Sequence, residues 1–293
     1  MPSWQGRSKG KLLGYRIFVG VLKLGGVRPA YLLLRFVTLY YLVFSRESTA
    51  STFAYFRKRL GYGLIKSIYS TYQNYNLLGQ SLVDKVAIMA GIANQFTFDF
   101  TGKDNLREMA ALKKGGLLLT AHVGNWETAI HLLNEIDARF NVVVFDGEDK
   151  GIKEYMDSLT GRQSVNFIVI KDDLSHIFEI NDAFSNNELV CMPADRFLEG
   201  NKTITVKFLG ADAKFPVGPF MLAYKFGVPV SFVYGMKERT LHYHFFGSKM
   251  KHYQHLERDE AIKTMVTDFV QSVEAKVYEY PEQWYNYYDF WQQ

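Results

Sequence analysis

Hydrophobic positions change their period once along this chain. Before about residue 92, apolar side chains recur at helical spacing; from Lys114 onward, short apolar runs alternate with helical patterns. Runs at 115–121, 141–145, 166–170 and 188–193 read as buried strands. Helices are expected between them near 126–137, 149–161 and 173–186, a βα series. Residues 202–209 alternate like a half-exposed strand, and a helix near 217–226 follows. Strands are expected at 228–234 and 241–246, with a short extended stretch near 96–101. A long helix near 257–278 precedes an aromatic tail from Trp284 to Trp291. The pattern predicts an α/β fold: a mixed, mainly parallel central sheet flanked by helices, behind an amphipathic helical N-terminus. It divides the chain into a helical, basic, membrane-interfacial segment at 1–92 and an α/β domain at 93–293.

The first segment carries its own chemistry. Lys9, Arg16 and Lys23 are spaced by seven, as are Arg28 and Arg35, so each set lines one helix face among Leu, Ile, Val and Phe. A helix pair broken at Gly25-Gly26 is expected, lying in a membrane interface with its basic stripe toward head groups. The competing structure is a core-packed pair with a solvated charged edge. The stretch Pro29 to Ser45 is short for a span and holds Arg35, and no cleavable signal is evident. Two further helices are expected over 49–92, with a break near Asn74–Gly79. Charge sharpens the picture. Residues 1–66 hold twelve Lys or Arg against Glu47 alone, +11 of a total of +4, which leaves −7 for the remainder. That asymmetry points to an anionic partner, a membrane surface or an acidic carrier. Basic residues threaded through apolar ones argue against nucleic acid.

The βα series brings a candidate site. His122 follows the buried run Gly116–Thr120, and Glu127 stands five residues on, at the expected start of a helix. Ligands of open α/β sheets bind outside the carboxyl ends of strands. A His held by a carboxylate can take a proton from a hydroxyl or amine and activate it. Within His122-Val123-Gly124-Asn125-Trp126-Glu127, Gly124 allows a tight turn and Asn125 suits an N-cap. The single Cys191 excludes an internal disulfide and lies in a buried run, where it reads as a small hydrophobe. No metal-ligand spacing, Gly-rich nucleotide loop, P-loop or G-x-S-x-G elbow is present, so no metal or cofactor is expected.

Four stretches carry a family resemblance: HVGNWE at 122–127, Arg162, Met192-Pro193-Ala194-Asp195-Arg196, and Pro281-Glu282-Gln283-Trp284-Tyr285. In order and spacing the chain resembles the bacterial lipid A biosynthesis (lauroyl/myristoyl-type) acyltransferases, within the glycerolipid acyltransferase superfamily. The resemblance implies transfer of a fatty acyl chain from a carrier thioester to a hydroxyl or amine of a membrane lipid. On it, His122 is the general base and Glu127 orients it. Asn125, Arg162, Asp195 and Arg196 are the substrate-binding candidates. Attack on a thioester builds an oxyanion, which needs donors. Arg162, Arg196 or backbone N–H groups near Gly124 and Asn125 are candidates, with Asp195 holding an arginine in place.

The chain departs from the relatives that acylate glycerol phosphates, having Met192–Arg196 where those carry F-P-E-G-T-R. Its first helix is also more charged than the spanning helix of lipid A enzymes. The expected donor is acyl carrier protein, with acyl-CoA as the other thioester, and Arg57–Arg59 or Lys113-Lys114 would meet the acidic carrier. The expected place is the cytoplasmic face of a bacterial inner membrane, peripheral or monotopic. The rival reading is a nonenzymatic lipid-binding protein that uses the same groove.

Overall fold

The structure, a computed structural model, describes residues 12–88, 95–125, 128, 136, 138–145, 165–171 and 173–291. The helix expected near 149–161 and most of the one expected near 126–137 lie outside these residues, as does Lys9 of the basic stripe. The described chain opens with α1 (Leu12–Gly25) and α2 (Val27–Phe44), parted at Gly26 as the sequence predicts. Next come α3 (Arg46–Ala54), a π-helical turn over Tyr55–Arg59, and α4 (Leu64–Ala87). Strand β1 (Thr97–Thr101) and α5 (Lys103–Ala111) lead into the sheet strands β2 (Gly116–Thr120), β3 (Phe140–Phe145) and β4 (Val165–Ile170). Then follow α6 (Ser175–Ser185), β5 (Leu189–Pro193), β6 (Thr203–Phe208), β7 (Ala211–Pro216), α7 (Gly218–Phe226), β8 (Val230–Arg239), β9 (His242–Gly247) and α8 (Arg258–Glu279).

Seven strands form one sheet in the order β1-β9-β8-β2-β5-β3-β4, and β6 and β7 make a separate antiparallel hairpin. Every neighbouring pair in the large sheet is parallel except β8 with β9, so the architecture is the mixed, mainly parallel α/β sheet expected. Strand β2 shows why a continuous apolar run was needed at its centre. Leu117 and Leu119 face one core, with Phe220, Phe269 and Val266, while Leu118 faces the other, with Met109, Phe140 and Cys191. A third apolar cluster joins α1, α2 and the end of α4 to Phe96, Tyr243 and Phe245.

Helix α4 corrects one expectation. It runs unbroken through Asn74–Gly79, and the break falls earlier, between the π turn at Tyr55–Arg59 and Leu64. Tertiary contacts override the local propensity at both residues. The Asn74 amide donates to the carbonyls of Glu282 (3.0 Å) and Trp284 (2.9 Å). Gly79 lets α2 approach, because a methyl group there would run into the Leu34 side chain. Two elements went unpredicted. Helix α5 is short and polar, and β7 is a strand whose sequence, Ala-Asp-Ala-Lys-Phe-Pro, buries only Ala213, Phe215 and Pro216. Strand β8 also runs past the expected 234 to Arg239, where it supports the site.

The aromatic tail is core, not surface. Trp284 is 2% exposed and packs edge-on against Tyr55, Phe208, Phe290 and Trp291, with ring centroids 4.8–5.6 Å apart. Removing it empties the junction between the π turn, the hairpin and the tail. Trp284→Ala is expected to lose about 3–5 kcal/mol of unfolding free energy, measured by urea denaturation. A loss below about 1 kcal/mol would contradict this account of the tail.

Candidate active site

The site follows from strand register. In the β2–β5 pair, Thr120 lies opposite Pro193, so His122 and Asp195 each stand two residues past the last pair, side by side at the carboxyl edge. Two hydrogen bonds join them. The His122 backbone N–H donates to Asp195 Oδ2 at 2.9 Å, and Nδ1 lies 2.8 Å from Oδ1. An ionised carboxylate can only accept, so Nδ1 carries a proton; in the neutral ring Nε2 then keeps the lone pair, and in the charged ring both nitrogens are protonated. Among the described residues Nε2 has no partner, and about a third of the ring (32%) is exposed. Asp195 is 2% exposed. Burial alone would raise its carboxyl. The His122 charge and hydrogen bonds, helped by the charge of Arg196, outweigh burial and hold it below the usual carboxylate range.

The turn after His122 is fixed by its backbone. Gly124 has φ +70°, and a side chain there would collide with the Gly235 carbonyl. Its N–H donates to the Gln283 carbonyl (2.8 Å), and the Asn125 N–H donates to the Gly235 carbonyl (2.6 Å). These bonds correct the expectation that the two N–H groups serve as oxyanion donors: both are already engaged in short β-bridges to β8 and the tail. The tail closes the other side, with Tyr285 N–H donating to the His122 carbonyl at 2.9 Å. The Gln283 side chain clamps Lys237, accepting its N–H at 2.9 Å and donating to its carbonyl at 2.8 Å.

The other candidates fall as follows. Asn125 is buried and turned inward, its amide donating to the Ser81 carbonyl at 2.9 Å. Arg196 donates to the Tyr285 carbonyl (2.5 Å) and sits 6.0 Å from the Tyr288 ring. Asp195, read from sequence as the holder of an arginine, holds the histidine. Glu127 and Arg162 lie outside the described residues. Sequence reasoning missed the support beneath the turn: Ser81, Gly235, Lys237 and Gln283. The one signal was the stretch Pro281–Tyr285, which contains Gln283; Lys237 opens the charged run Lys237-Glu238-Arg239 and reads from sequence as a solvated strand end.

The sequence matches the model of the bacterial lipid A biosynthesis acyltransferases over residues 71–292. The chain belongs to that family. The match begins inside α4 and takes in every strand and the tail, so the described part of this lipid A biosynthesis-type acyltransferase's site falls within it. No curated protein matches the sequence. Among solved structures, the chain is similar to the 1-acyl-sn-glycerophosphate (LPA) acyltransferase PlsC from Thermotoga maritima. The two share 14% identity over 84% of this chain and 97% of that one, with a TM-score of 0.38. Family membership makes the chain an acyltransferase that acts on lipids.

The depressed carboxyl of Asp195 has a consequence for stability. The unfolded carboxylate, at about 3.9, binds protons more readily than the native one. Asp195 therefore contributes stability above about pH 4, which is lost as pH falls through the native value. Asp195→Asn is expected to lower the melting temperature at pH 7, with the gap from wild type narrowing below about pH 4. A gap that stays constant from neutral into acid would contradict this linkage.

Proposed function

We propose that this chain moves a fatty acyl group from a carrier thioester to a hydroxyl or amine of a membrane lipid or lipid precursor, with His122 as general base. The observation that carries the reading is the His122–Asp195 pair. Its Nδ1 is held by a buried carboxylate, and in the neutral ring Nε2 is left with a lone pair at an exposed edge. In this mechanism Nε2 accepts the acceptor's proton as its oxygen or nitrogen attacks the thioester carbonyl. Asp195 stabilises the imidazolium that forms, and the proton then passes to the departing thiolate. Glu127, from the sequence motif, is a further proposed orienting carboxylate. Arg162 and Arg196 are the proposed donors to the oxyanion and the head group, since the Gly124 and Asn125 N–H groups are engaged. Acyl carrier protein is the proposed donor, and acyl-CoA supplies the same bond.

We assign membrane contact to the helical segment at 1–92 and the chemistry to 93–293. Support comes from what α2 and α4 leave uncovered. Leu32, Phe36, Leu39, Tyr40, Val43 and Phe44 of α2 and Leu64, Ile65, Ile68 and Tyr69 of α4 are exposed. Arg28, Arg35 and Lys66 are exposed on the same helices. Helix α2 is long and apolar enough to cross a membrane. Its other face is closed by α4, through Leu34 on Gly79 and through Tyr31 on Asp84. Attachment in one leaflet of the inner membrane, on the cytoplasmic side, fits this packing.

Acyl carrier protein loaded with chains of several lengths, mixed with a bacterial lipid extract, tests the chemistry by thiol release. Wild type is expected to transfer, and His122→Ala to lose about 10²–10⁴-fold. An unchanged His122→Ala rate overturns the base assignment. Absence of turnover by membrane-bound wild type with both thioesters favours a lipid-binding protein. For attachment, the triple variant Leu64→Ser, Ile65→Ser, Ile68→Ser is expected to bind anionic vesicles at least about tenfold more weakly. Sedimentation with vesicles measures this, and unchanged binding removes α4 from the contact.

A further inference from the structure

We propose that Tyr31, Asp84, Lys237 and Tyr243 form a positioning unit for the catalytic turn, so that the placement of residues 122–125 depends on the docking of α2. The inference rests on the reading of His122 as the base. The four side chains come from α2, α4, β8 and β9 and meet at one carboxylate. Lys237 Nζ donates to Asp84 Oδ2 at 2.5 Å and to the Tyr31 hydroxyl at 2.7 Å. The Tyr31 hydroxyl donates to Oδ1, and the Tyr243 hydroxyl donates to Oδ2 at 2.5 Å. The rings of Tyr31 and Tyr243 lie 4.9 and 5.0 Å from the ammonium.

Stability is a poor explanation for this group. Asp84 is 0% exposed and Lys237 6%, beside an apolar cluster of Val27, Ala30, Val83, Val86, Phe96 and Phe245. A buried ion pair is commonly matched or bettered by apolar residues of the same volume. What the group does supply is direction. Three donors from three elements fix both oxygens of Asp84, and two hydrogen-bonded routes run from them to the turn. The first runs along α4 itself: the Ser81 carbonyl, one helical turn before Asp84, accepts from the Asn125 side-chain amide. In the second, Lys237 is clamped through its main chain by Gln283, whose own carbonyl takes the Gly124 N–H. The routes converge on adjacent residues, two and three positions after His122. Tyr31 is the link that brings α2, the helix with the exposed apolar face, into the same group.

The test uses the full-length chain and two variants. One replaces the whole group by apolar residues: Tyr31→Phe, Asp84→Leu, Lys237→Met and Tyr243→Phe together, which leaves no charge of the pair unmatched. The other is Tyr31→Phe alone. The fourfold variant is expected to melt within about 5 °C of wild type. In both variants the Gly124 and Asn125 amides are expected to exchange with solvent at least about tenfold faster, while those of β2 keep their protection. Both are expected to show kcat at least about tenfold lower, with the KM for the acyl donor unchanged. Wild-type exchange at 124–125 overturns the proposal, as does a change confined to KM. If the fourfold variant fails to fold, Tyr31→Phe decides by the same readouts. A wild type without transfer activity, with exchange still raised in the variants, overturns the acyltransfer reading and leaves the positioning unit standing.

Discussion

The site depends on one buried carboxylate. Asp195 lies at the carboxyl end of β5, where its strand pairing leaves it sealed from water. A carboxylate in such a place must be matched by donors or give up its charge. Both donors come from His122, one from the ring and one from the main chain. The dependence runs in both directions. The carboxylate stays ionised because the histidine is there, and the ring is turned with Nε2 outward because the carboxylate is there. Substitution of His122 removes both of the donors that hold the Asp195 carboxyl down, and substitution of Asp195 removes the acceptor that sets the ring, so the two act as one unit.

A rigid histidine needs a rigid turn, and the backbone accounting shows how it is made. The His122 N–H and carbonyl, the Gly124 N–H, and both the N–H and carbonyl of Asn125 have partners, drawn from Asp195, Tyr285, Gln283, Gly235 and Thr128. Most of those partners are main-chain atoms of the tail and β8, which must themselves be held. Helix α4 does this with a buried face that is unusually polar. The Ser70 hydroxyl donates to the Glu282 carboxylate, and the Asn74 amide donates to the Glu282 and Trp284 carbonyls. An apolar α4 would pack as well against the core but would leave these carbonyls without donors. The polarity of α4 is therefore a requirement of the turn rather than of the helix.

This explains which parts were legible in the sequence. Strand β2 and the turn after it could be read because a continuous apolar run followed by Gly and Asn constrains the chain locally. Asp195 could be singled out by its position, but not its partner, because 73 residues separate it from His122 and only the β2–β5 register joins them. The reading of the Gly124 and Asn125 N–H groups as oxyanion donors failed for the same reason. A turn's free donors look free until the strand that takes them is known. Asn74 and Gly79 were misread as a break because each is a poor helix residue in isolation. In the fold, the amide of one and the missing side chain of the other are what fit α4 between the tail and α2.

The same packing bears on how a lipid enzyme would meet its membrane. Helix α2 offers one apolar face outward, and Arg28 and Arg35 lie on it beside Leu32, Phe36 and Leu39. A long basic side chain can cover apolar surface while its head stays at the level of water and phosphate. At a membrane surface, its presence within the exposed stripe would therefore set a depth that the helix does not pass. The opposite face is fixed to α4, which buries Asp84 at Tyr31 and rests on the tail along its polar side. A deeper position for α2 would carry that polar helix and the turn it supports into hydrocarbon. Under the proposed attachment, the contacts that hold the catalytic turn are the same ones that keep α2 at the interface, so chemistry and membrane depth are set by one piece of packing.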